Sequence, residues 1–239
     1  GLAVLSVRRS FTTIKAIINL AIAEHGLDIP NPFSAIYMPE AESKKRVSIP
    51  VETIRQIQQS CVEHDDDMRW LIALISNTGM RLAEAAGLHI NDIKLEKDIP
   101  YVDVKPHTWR SLKTKGSQRQ VPLVGASLWA AQRIEANASS CFAFPRYTDH
   151  DRCNANSASN ALNKWLHANF RKDIVIHGFR HAMRDRLRAV SCPSEMIDQI
   201  GGWSPGKVGE GYGEGYSVTQ MKHWMTRITV KPTESGSDI

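Results

Sequence analysis

Four ionisable side chains within residues 177–190, HGFRHAMRDRLRAV, have the spacing to act together on a phosphate. At helical periodicity the apolar residues form one stripe, and a separate face carries His177, Arg180, His181 and Arg184. An arginine fork matches phosphate oxygens, and a nearby histidine can transfer protons near neutral pH. The segment therefore indicates an oxyanion clamp, with a solvated basic face as the alternative. No metal site is expected, because the glutamate of HExxH is absent and the arginines would repel a cation.

A second arginine, Arg81, lies in NTGMRLAEAAGL at the start of a short helix, just after Gly79. The N-terminus of a helix favours anions, because its N–H groups lack partners and the helix dipole is positive there. Arg81 is therefore placed to hold a phosphate. Glu84, one turn later, either orients Arg81 or pairs with it on the surface.

Residues 105–120 contain no carboxylate but five basic side chains: Lys105, Arg110, Lys113, Lys115 and Arg119. The two flanks of KTKGSQRQVPL are predicted to be strands of a hairpin, with Gly116 in the turn. Such a hairpin can lie in a DNA groove and bring one lysine to a scissile phosphate. A solvated hairpin is the alternative.

The segment GGWSPGKVGEGYGEGYS, residues 201–217, contains two candidate nucleophiles, Tyr212 and Tyr216. A tyrosine hydroxyl has a pKa near 10 and needs a base or nearby cations to attack at pH 7. Glycines surround Tyr212, and each costs about 1 kcal/mol in a helix, so the segment is predicted to be irregular or mobile before DNA binds. Tyr216, one helical turn later, is expected to pack against the core.

Helices must position most of these groups. The spacing predicts an amphipathic helix over 10–25, followed by a proline-rich linker with the basic run Lys44, Lys45 and Arg46. Later helices are predicted at about 126–137, 156–168, 177–190, 194–200 and 218–228, with further helices between 50 and 87 and a strand at 100–104. The expected fold class is mainly α (α+β), helical with one small antiparallel sheet or hairpin. The domains are expected to be 1–46 and 47–239.

The composition indicates what kind of partner the protein has and in which compartment it is found. The net charge of +5 and isoelectric point of about 9.1 suggest an anionic partner. Four scattered cysteines favour free thiols in a reducing cytoplasm, and the chain has no apolar run long enough for a membrane span. Because the chain begins with Gly1 and a helix follows almost at once, an N-terminal portion is expected to be missing.

The order and spacing of five motifs resemble the catalytic domain of the tyrosine recombinases, or phage integrases. These motifs are the arginine of TGMRLAEAAGL, a lysine on a hairpin ending in VPL, HGFRH, GGW, and a tyrosine nine positions after Trp203. The resemblance covers about residues 48–225, and residues 1–46 resemble the end of the family's helical core-binding domain. The spacing selects Tyr212 over Tyr216.

The resemblance implies a reaction at a DNA phosphodiester. Tyr212 would attack to give a 3′-phosphotyrosyl link and a free 5′-hydroxyl, with His177 as the base. Arg81 and Arg180 would hold the two non-bridging oxygens and stabilise the charge of the transition state, so no metal or other cofactor is implied.

The remaining site residues also follow from the resemblance. Trp203 would donate a hydrogen bond from its indole N–H where many members have histidine. A hairpin lysine would protonate the leaving 5′-oxygen; Lys113 fits the pattern better than Lys115, and both stay open. Glu84 and His181 resemble supporting positions.

Double-stranded DNA is the expected partner, held by a homo-tetramer that can be monomeric when free. The expected DNA contacts are Lys44, Lys45, Arg46, Arg110, Arg119 and Arg184. For the first three a plain linker is favoured over direct DNA contact, and the two interpretations are compatible. The helix at 218–228 would dock on a neighbouring subunit or on its own domain. The expected location is the cytoplasm of a bacterial or phage-infected cell, at the nucleoid.

The function expected is site-specific recombination, for integration or excision of a mobile element. A DNA-binding protein without catalysis and a type IB topoisomerase are the alternatives. The sequence does not distinguish integration from transposition or dimer resolution, and it does not identify the DNA site.

Overall fold

The structure, a computed structural model, describes residues 3–38, 48–203 and 215–230. Its contacts divide the chain into two compact units, Gly1–Val47 and Ser48–Ile239. The first unit contains one long helix. The second contains the sheet and the other helices of the described ranges.

The helix of the first unit, α1, spans Val4–Glu24 and therefore begins earlier than the predicted 10–25. Several of its apolar side chains stay exposed, including Ile17 and Leu20. The chain after the helix is tied back by Asn31, whose Nδ2 donates to the carbonyl oxygen of Lys15 at 3.0 Å. A side-chain amide thus fixes this turn.

The second unit contains eight helices within the described residues. They are α2 (Val51–His64), α3 (Asp67–Thr78), α4 (Leu82–Ala86), α5 (Ala126–Ala136), α6 (Ala155–Asn169), α7 (Gly178–Ala189), α8 (Ser194–Gly201) and α9 (Val218–Arg227). The bounds of α5 to α9 agree with the predicted helices to within one residue. Helix α3 lies at the centre of the core, because residues 71–78 are all buried and it packs against α2, α5 and α7.

Three short strands form an antiparallel sheet in the order β1 (Ile93–Lys94), β2 (Tyr101–Val104) and β3 (Arg119–Pro122). Val102 of β2 pairs with Ile93 on one side and with Val121 on the other. The predicted fold class, mainly helical with one small antiparallel sheet, is confirmed.

The hairpin differs from its prediction. The stretch before Gly116 forms no strand; β3 pairs instead with β2, and residues 105–118 form the long loop between them, which we call the lysine loop. Within this loop His107 and Arg110 exchange backbone hydrogen bonds, and a 3₁₀ turn spans Lys115–Ser117. The second of these turns bonds the Ser117 N–H to the Thr114 carbonyl oxygen, where the predicted hairpin would have placed a strand. Strand β1 was not predicted.

Helix α9 packs on its own domain. Met221 and Met225 are buried against the core, and Ser217 and Gln220 form a capping box at its first turn. At the other end, Arg186 of α7 donates to the carbonyl oxygens of Ile228 at 3.0 Å and Ser76 at 2.6 Å. The buried guanidinium therefore joins the ends of α9 and α3.

Across the described ranges, no helix is both long and apolar enough to cross a bilayer.

Candidate active site

Two arginines from distant parts of the chain lie around the junction between α3 and α4. Arg180 lies on α7 and is only 2% exposed. Its Nη1 donates to the carbonyl oxygen of Gly79 at 2.6 Å, whereas its buried Nη2 has no hydrogen-bond partner among the described residues. Burial, and then the charges of Arg81 and Arg119, lower the pKa of Arg180 to about 9. A buried cation with a spare donor is suited to an anion.

Gly79 allows α7 to come this close. The residue ends α3 with a φ of +59°, a conformation that side chains other than glycine rarely adopt. A Cβ at this position would lie 2.5 Å from the sulfur and the methyl carbon of Met183 on α7. The sequence NTGMR thus ends α3, leaves room for α7 and presents the Gly79 carbonyl oxygen to Arg180.

Glu84 binds Arg81. The sequence left two alternatives for this contact: Glu84 orients Arg81, or the two residues pair on the surface. Nη1 of Arg81 donates to Oε1 of Glu84 at 2.6 Å, and the Arg81 backbone N–H donates to Oε2 at 2.9 Å. Nη2 donates to the carbonyl oxygen of Gly202 at 2.9 Å. The pair is not a surface pair, since Glu84 is 3% exposed. Glu84 therefore orients Arg81.

Glu84 also binds a second arginine, Arg119 of β3, whose Nη2 lies 2.9 Å from Oε2. Burial by itself would raise the pKa of Glu84, but the charge and hydrogen bond of Arg119, with the hydrogen bonds of Arg81, bring it below its ordinary value. The carboxylate stays ionised between two guanidinium groups. It fixes both of them in place, the buried Arg119 and the half-buried Arg81.

Arg110 and Arg119 do not lie where a DNA contact was expected, and this expectation is corrected. Both are buried, with 4% and 8% exposure. Arg119 donates Nε to the carbonyl oxygen of Ile200 at 2.8 Å, and Arg110 donates Nη2 to that of Lys105 at 2.7 Å. Burial lowers the pKa of both groups. Both guanidinium groups point into the domain instead of facing DNA.

Trp203 lies against Arg180 and Arg184. The centre of its ring is 4.2 Å from the guanidinium carbon of Arg180 and 4.8 Å from that of Arg184. The stack is a cation–π contact that holds both cations without neutralising them. Arg184 is half-buried and also donates to Oδ1 of Asp198 at 3.0 Å. Its proposed DNA contact is untested.

The two histidines lie on the exposed side of the first turn of α7. His177 precedes the helix and His181 follows one turn later, with their ring centroids 5.0 Å apart and nearly perpendicular. Both side chains are exposed. Protons can therefore exchange with solvent at either imidazole.

The two candidate lysines lie at the end of the lysine loop. Lys113 is exposed, and Lys115 begins the 3₁₀ turn that ends at Ser117. Ser117 is fully buried, and its Oγ accepts a hydrogen bond from Nη1 of Arg81 at 3.1 Å. The loop is thereby tied to the arginine, a contact that the sequence analysis missed because a serine in a polar loop carries no distinctive signal.

Tyr216 makes hydrogen bonds to two residues of α8. The amide of Gln199 on α8 donates to its carbonyl oxygen and accepts from its N–H, both at 2.8 Å. The phenol hydroxyl points to a carboxylate oxygen of Glu195 at 3.4 Å. Desolvation and the neighbouring Glu195 raise the pKa of Tyr216, the reverse of what a nucleophile requires. Tyr212 lies outside the described residues, as do Lys44, Lys45 and Arg46.

Within the part of the chain that the structure describes, no group of three or more histidine, cysteine or acidic side chains could hold a metal ion. The charged groups that converge are instead three arginines around one carboxylate, in a mainly helical fold with a small sheet. This combination is typical of a domain that binds a phosphate through guanidinium groups.

The chain belongs to the phage integrase family, whose model matches residues 48–212 and thus more than half of the chain. Its enzyme class is that of the tyrosine-type site-specific DNA recombinases, as the sequence motifs predicted, and DNA binding without catalysis is not favoured.

Solved structures show the same fold. The Tn1549 transposon integrase (residues 82–397) in complex with circular intermediate DNA is 17% identical, with a TM-score of 0.62 over 93% of this chain and 80% of that one. A variant of that integrase with another circular intermediate DNA is 18% identical, with a TM-score of 0.64 over 96% and 81%. XerA recombinase is 16% identical, with a TM-score of 0.50 over 93% and 78%. No curated protein sequence matches the chain.

Proposed function

We propose that this recombinase cuts and rejoins DNA through a covalent link between Tyr212 and a 3′-phosphate. The observation that carries the proposal is the arginine pair: Arg180 keeps a buried donor nitrogen without a partner among the described residues, next to an Arg81 that Glu84 has already oriented. A cation that remains incompletely hydrogen-bonded in the interior is costly unless a ligand completes it. A phosphodiester oxygen supplies the missing acceptor.

The chemical step balances without a cofactor. The phenolic oxygen of Tyr212 bonds to phosphorus, its proton passes to His177, and the bond from phosphorus to the 5′-oxygen breaks. The leaving 5′-oxygen takes a proton from Lys113. The bond energy is kept in the phosphotyrosyl link, so attack by a 5′-hydroxyl reverses the step and rejoins a strand.

The arginines stabilise the transition state. Charge grows on the two non-bridging oxygens as the fifth bond to phosphorus forms, and Arg81 and Arg180 donate to them. Their N–H groups are held in advance by Glu84, the Gly79 carbonyl oxygen and the Trp203 ring, so little reorganisation is needed. Partial burial strengthens each hydrogen bond.

Double-stranded DNA is the proposed substrate, supported by the related Tn1549 integrase, which was solved with circular intermediate DNA. Lys44, Lys45, Arg46 and Arg184 are the proposed backbone contacts. We further propose a core-binding segment at 1–46, a catalytic domain at 47–239, a homo-tetramer on two duplexes, and a cytoplasmic location. The biological task would be integration or excision of a mobile element.

Covalent trapping tests the proposal. The protein is mixed with labelled DNA from the ends of the host element, denatured in detergent, and any DNA-linked peptide is mapped by mass spectrometry. We expect an adduct on Tyr212 that Tyr212→Phe abolishes and the matched control Tyr216→Phe retains. An adduct on Tyr216, or retarded DNA with no adduct, would contradict the proposal.

Strand exchange separates the remaining alternative. A type IB topoisomerase would relax supercoiled DNA through the same tyrosine but would not join strands from two duplexes. We expect joined products from two labelled duplexes that carry the site. Relaxation without such products would favour the topoisomerase.

A further inference from the structure

Ser117 is a fully buried side chain that the reaction scheme above does not use. Its Oγ lies 3.1 Å from Nη1 of Arg81 and 2.9 Å from Oγ1 of Thr114. Its carbonyl oxygen accepts from Nη1 of Arg119 at 2.7 Å. Because both arginines also bind Glu84, Ser117 closes a ring of four residues.

The direction of one hydrogen bond in this ring is determined. A guanidinium only donates, so the Ser117 hydroxyl accepts from Arg81. The Ser117 oxygen keeps a second lone pair and its own proton, so either hydroxyl can be the donor between Ser117 and Thr114. In both cases Arg81, Ser117 and Thr114 form one connected chain of hydrogen bonds.

This ring connects the two halves of the site. Ser117 ends the 3₁₀ turn, its N–H donates to the carbonyl oxygen of Thr114 at 3.0 Å, and Lys113 is the residue before that threonine. The far end of the lysine loop is therefore tied to Arg81 through a side chain as well as through β3. Without the tie, the exposed end of a 105–118 loop would sample many positions.

We propose that Ser117 is a positioning residue that fixes the lysine loop relative to Arg81. While Arg81 holds a non-bridging oxygen, the serine keeps the lysine within reach of the leaving 5′-oxygen of the same phosphate. The proposal rests on the proposed function, in which a loop lysine acts as the general acid.

The first test is the rate of covalent DNA attachment by Ser117→Ala, with the exposed neighbour Gln118→Ala as the matched control. A general acid contributes about 10²-fold to 10⁴-fold, and a misplaced acid loses part of that factor. We expect Ser117→Ala to be slower by about tenfold to 100-fold with DNA affinity within about twofold of the parent. Gln118→Ala should keep the parental rate. An unchanged rate in Ser117→Ala would overturn the proposal.

The second test replaces the bridging 5′-oxygen of the scissile phosphate by sulfur. A thiolate leaves without a proton, so the substrate bypasses the general acid. We expect Ser117→Ala and Lys113→Ala both to recover to within a few-fold of the parent. A purely structural defect, or one that acts through Arg81, would leave Ser117→Ala slow on this substrate while Lys113→Ala recovers, and would overturn the proposal.

Failure of the underlying function gives a different pattern. If neither Lys113→Ala nor Lys115→Ala recovers with the sulfur substrate, neither candidate lysine is the acid, and the proposal falls together with that role. If Ser117→Ala does not fold, Thr114→Val decides, because Thr114 is exposed and the change removes only the outer end of the hydrogen-bond chain. We expect a smaller slowing that sulfur corrects and that Thr114→Ser does not show. An unchanged rate in Thr114→Val would overturn the proposal.

Discussion

The site has two sides that are built differently. On the side that holds charge, Arg180, Glu84 and Arg119 are buried, and each is fixed by contacts to distant parts of the chain. On the side proposed to move protons, Lys113 and His177 are exposed. Charge stabilisation depends on groups that are oriented in advance in a low dielectric, whereas proton donors and acceptors must exchange with water.

The largest effect should come from the buried side. In Arg180→Met, we expect attachment to DNA to slow by about 10³-fold, because the proposed transition-state donor is lost. Stability should not fall. Burial lowers the pKa of Arg180 to about 9, so the charged form is disfavoured in the folded state, and an apolar side chain of similar length removes that cost.

Thermal unfolding and single-turnover attachment, measured on the same preparations, check this prediction. Arg188→Met, at an exposed position on the same helix, is the control for the substitution itself. A large drop in melting temperature for Arg180→Met alone would show that the arginine stabilises the fold and would remove the contrast between the two sides.

Glu84→Gln should have the next largest effect, on stability. It leaves Arg81 and Arg119 without their shared carboxylate, and we expect a loss of about 3 kcal/mol at neutral pH. The folded pKa of Glu84 lies below its ordinary value of 4.5, so its contribution is present above that pH and is lost as the pH falls through the folded pKa.

Urea unfolding from pH 7 down to pH 3 measures this dependence. The difference between the parent and Glu84→Gln should shrink as the pH falls below 4.5. The exposed Glu135→Gln serves as the matched control and should follow the parent throughout. A difference that stays constant with pH would mean that the carboxylate is not the source of the stabilisation.

Substitutions on the exposed side should change activity and leave stability unchanged. Lys113→Ala is expected to slow attachment by about 100-fold with an unchanged melting temperature, because the side chain is exposed. Lys115→Ala, assayed in parallel, decides which lysine is the acid, and the exposed Lys97→Ala controls for lost charge. If Lys113→Ala keeps the full rate while Lys115→Ala is slow, the general acid is Lys115 and not Lys113.

The smallest effect concerns the manner in which Trp203 acts. Because its ring stacks on Arg180 and Arg184, we expect Trp203→Phe to keep the rate within about threefold and Trp203→Leu to lose about tenfold. The same attachment assay separates stacking from donation by the indole N–H. Equal losses in both variants would favour the N–H.

Local patterns predicted most of the helices and the residues of the arginine pair. The spacing in HGFRH and the turn in NTGMR are local, so Arg180 and Arg81 could be found from the sequence. The strand pairing of the hairpin could not be predicted from a local sequence pattern. The strand that pairs with β3 lies before the lysine loop, whose turns bond the N–H groups of His107, Arg110 and Ser117 within the loop.

The sequence also could not predict whether a charged side chain faces solvent or the interior. Residues 105–120 contain no carboxylate, and this absence suggested a basic face toward DNA. The carboxylate partner of Arg119 is Glu84, which lies 35 positions earlier in the chain and becomes a neighbour only in the folded domain. A count of charges within a segment carries no information about such a contact.

The most direct test of the arginine pair removes charge from the DNA instead of the protein. One non-bridging oxygen of the scissile phosphate is replaced by a methyl group, and attachment rates are measured for the parent, Arg180→Met and Lys113→Ala. If the buried arginines neutralise this phosphate, the deficit of Arg180→Met should shrink by at least about tenfold while that of Lys113→Ala persists. An equal deficit of Arg180→Met on both substrates would contradict the account.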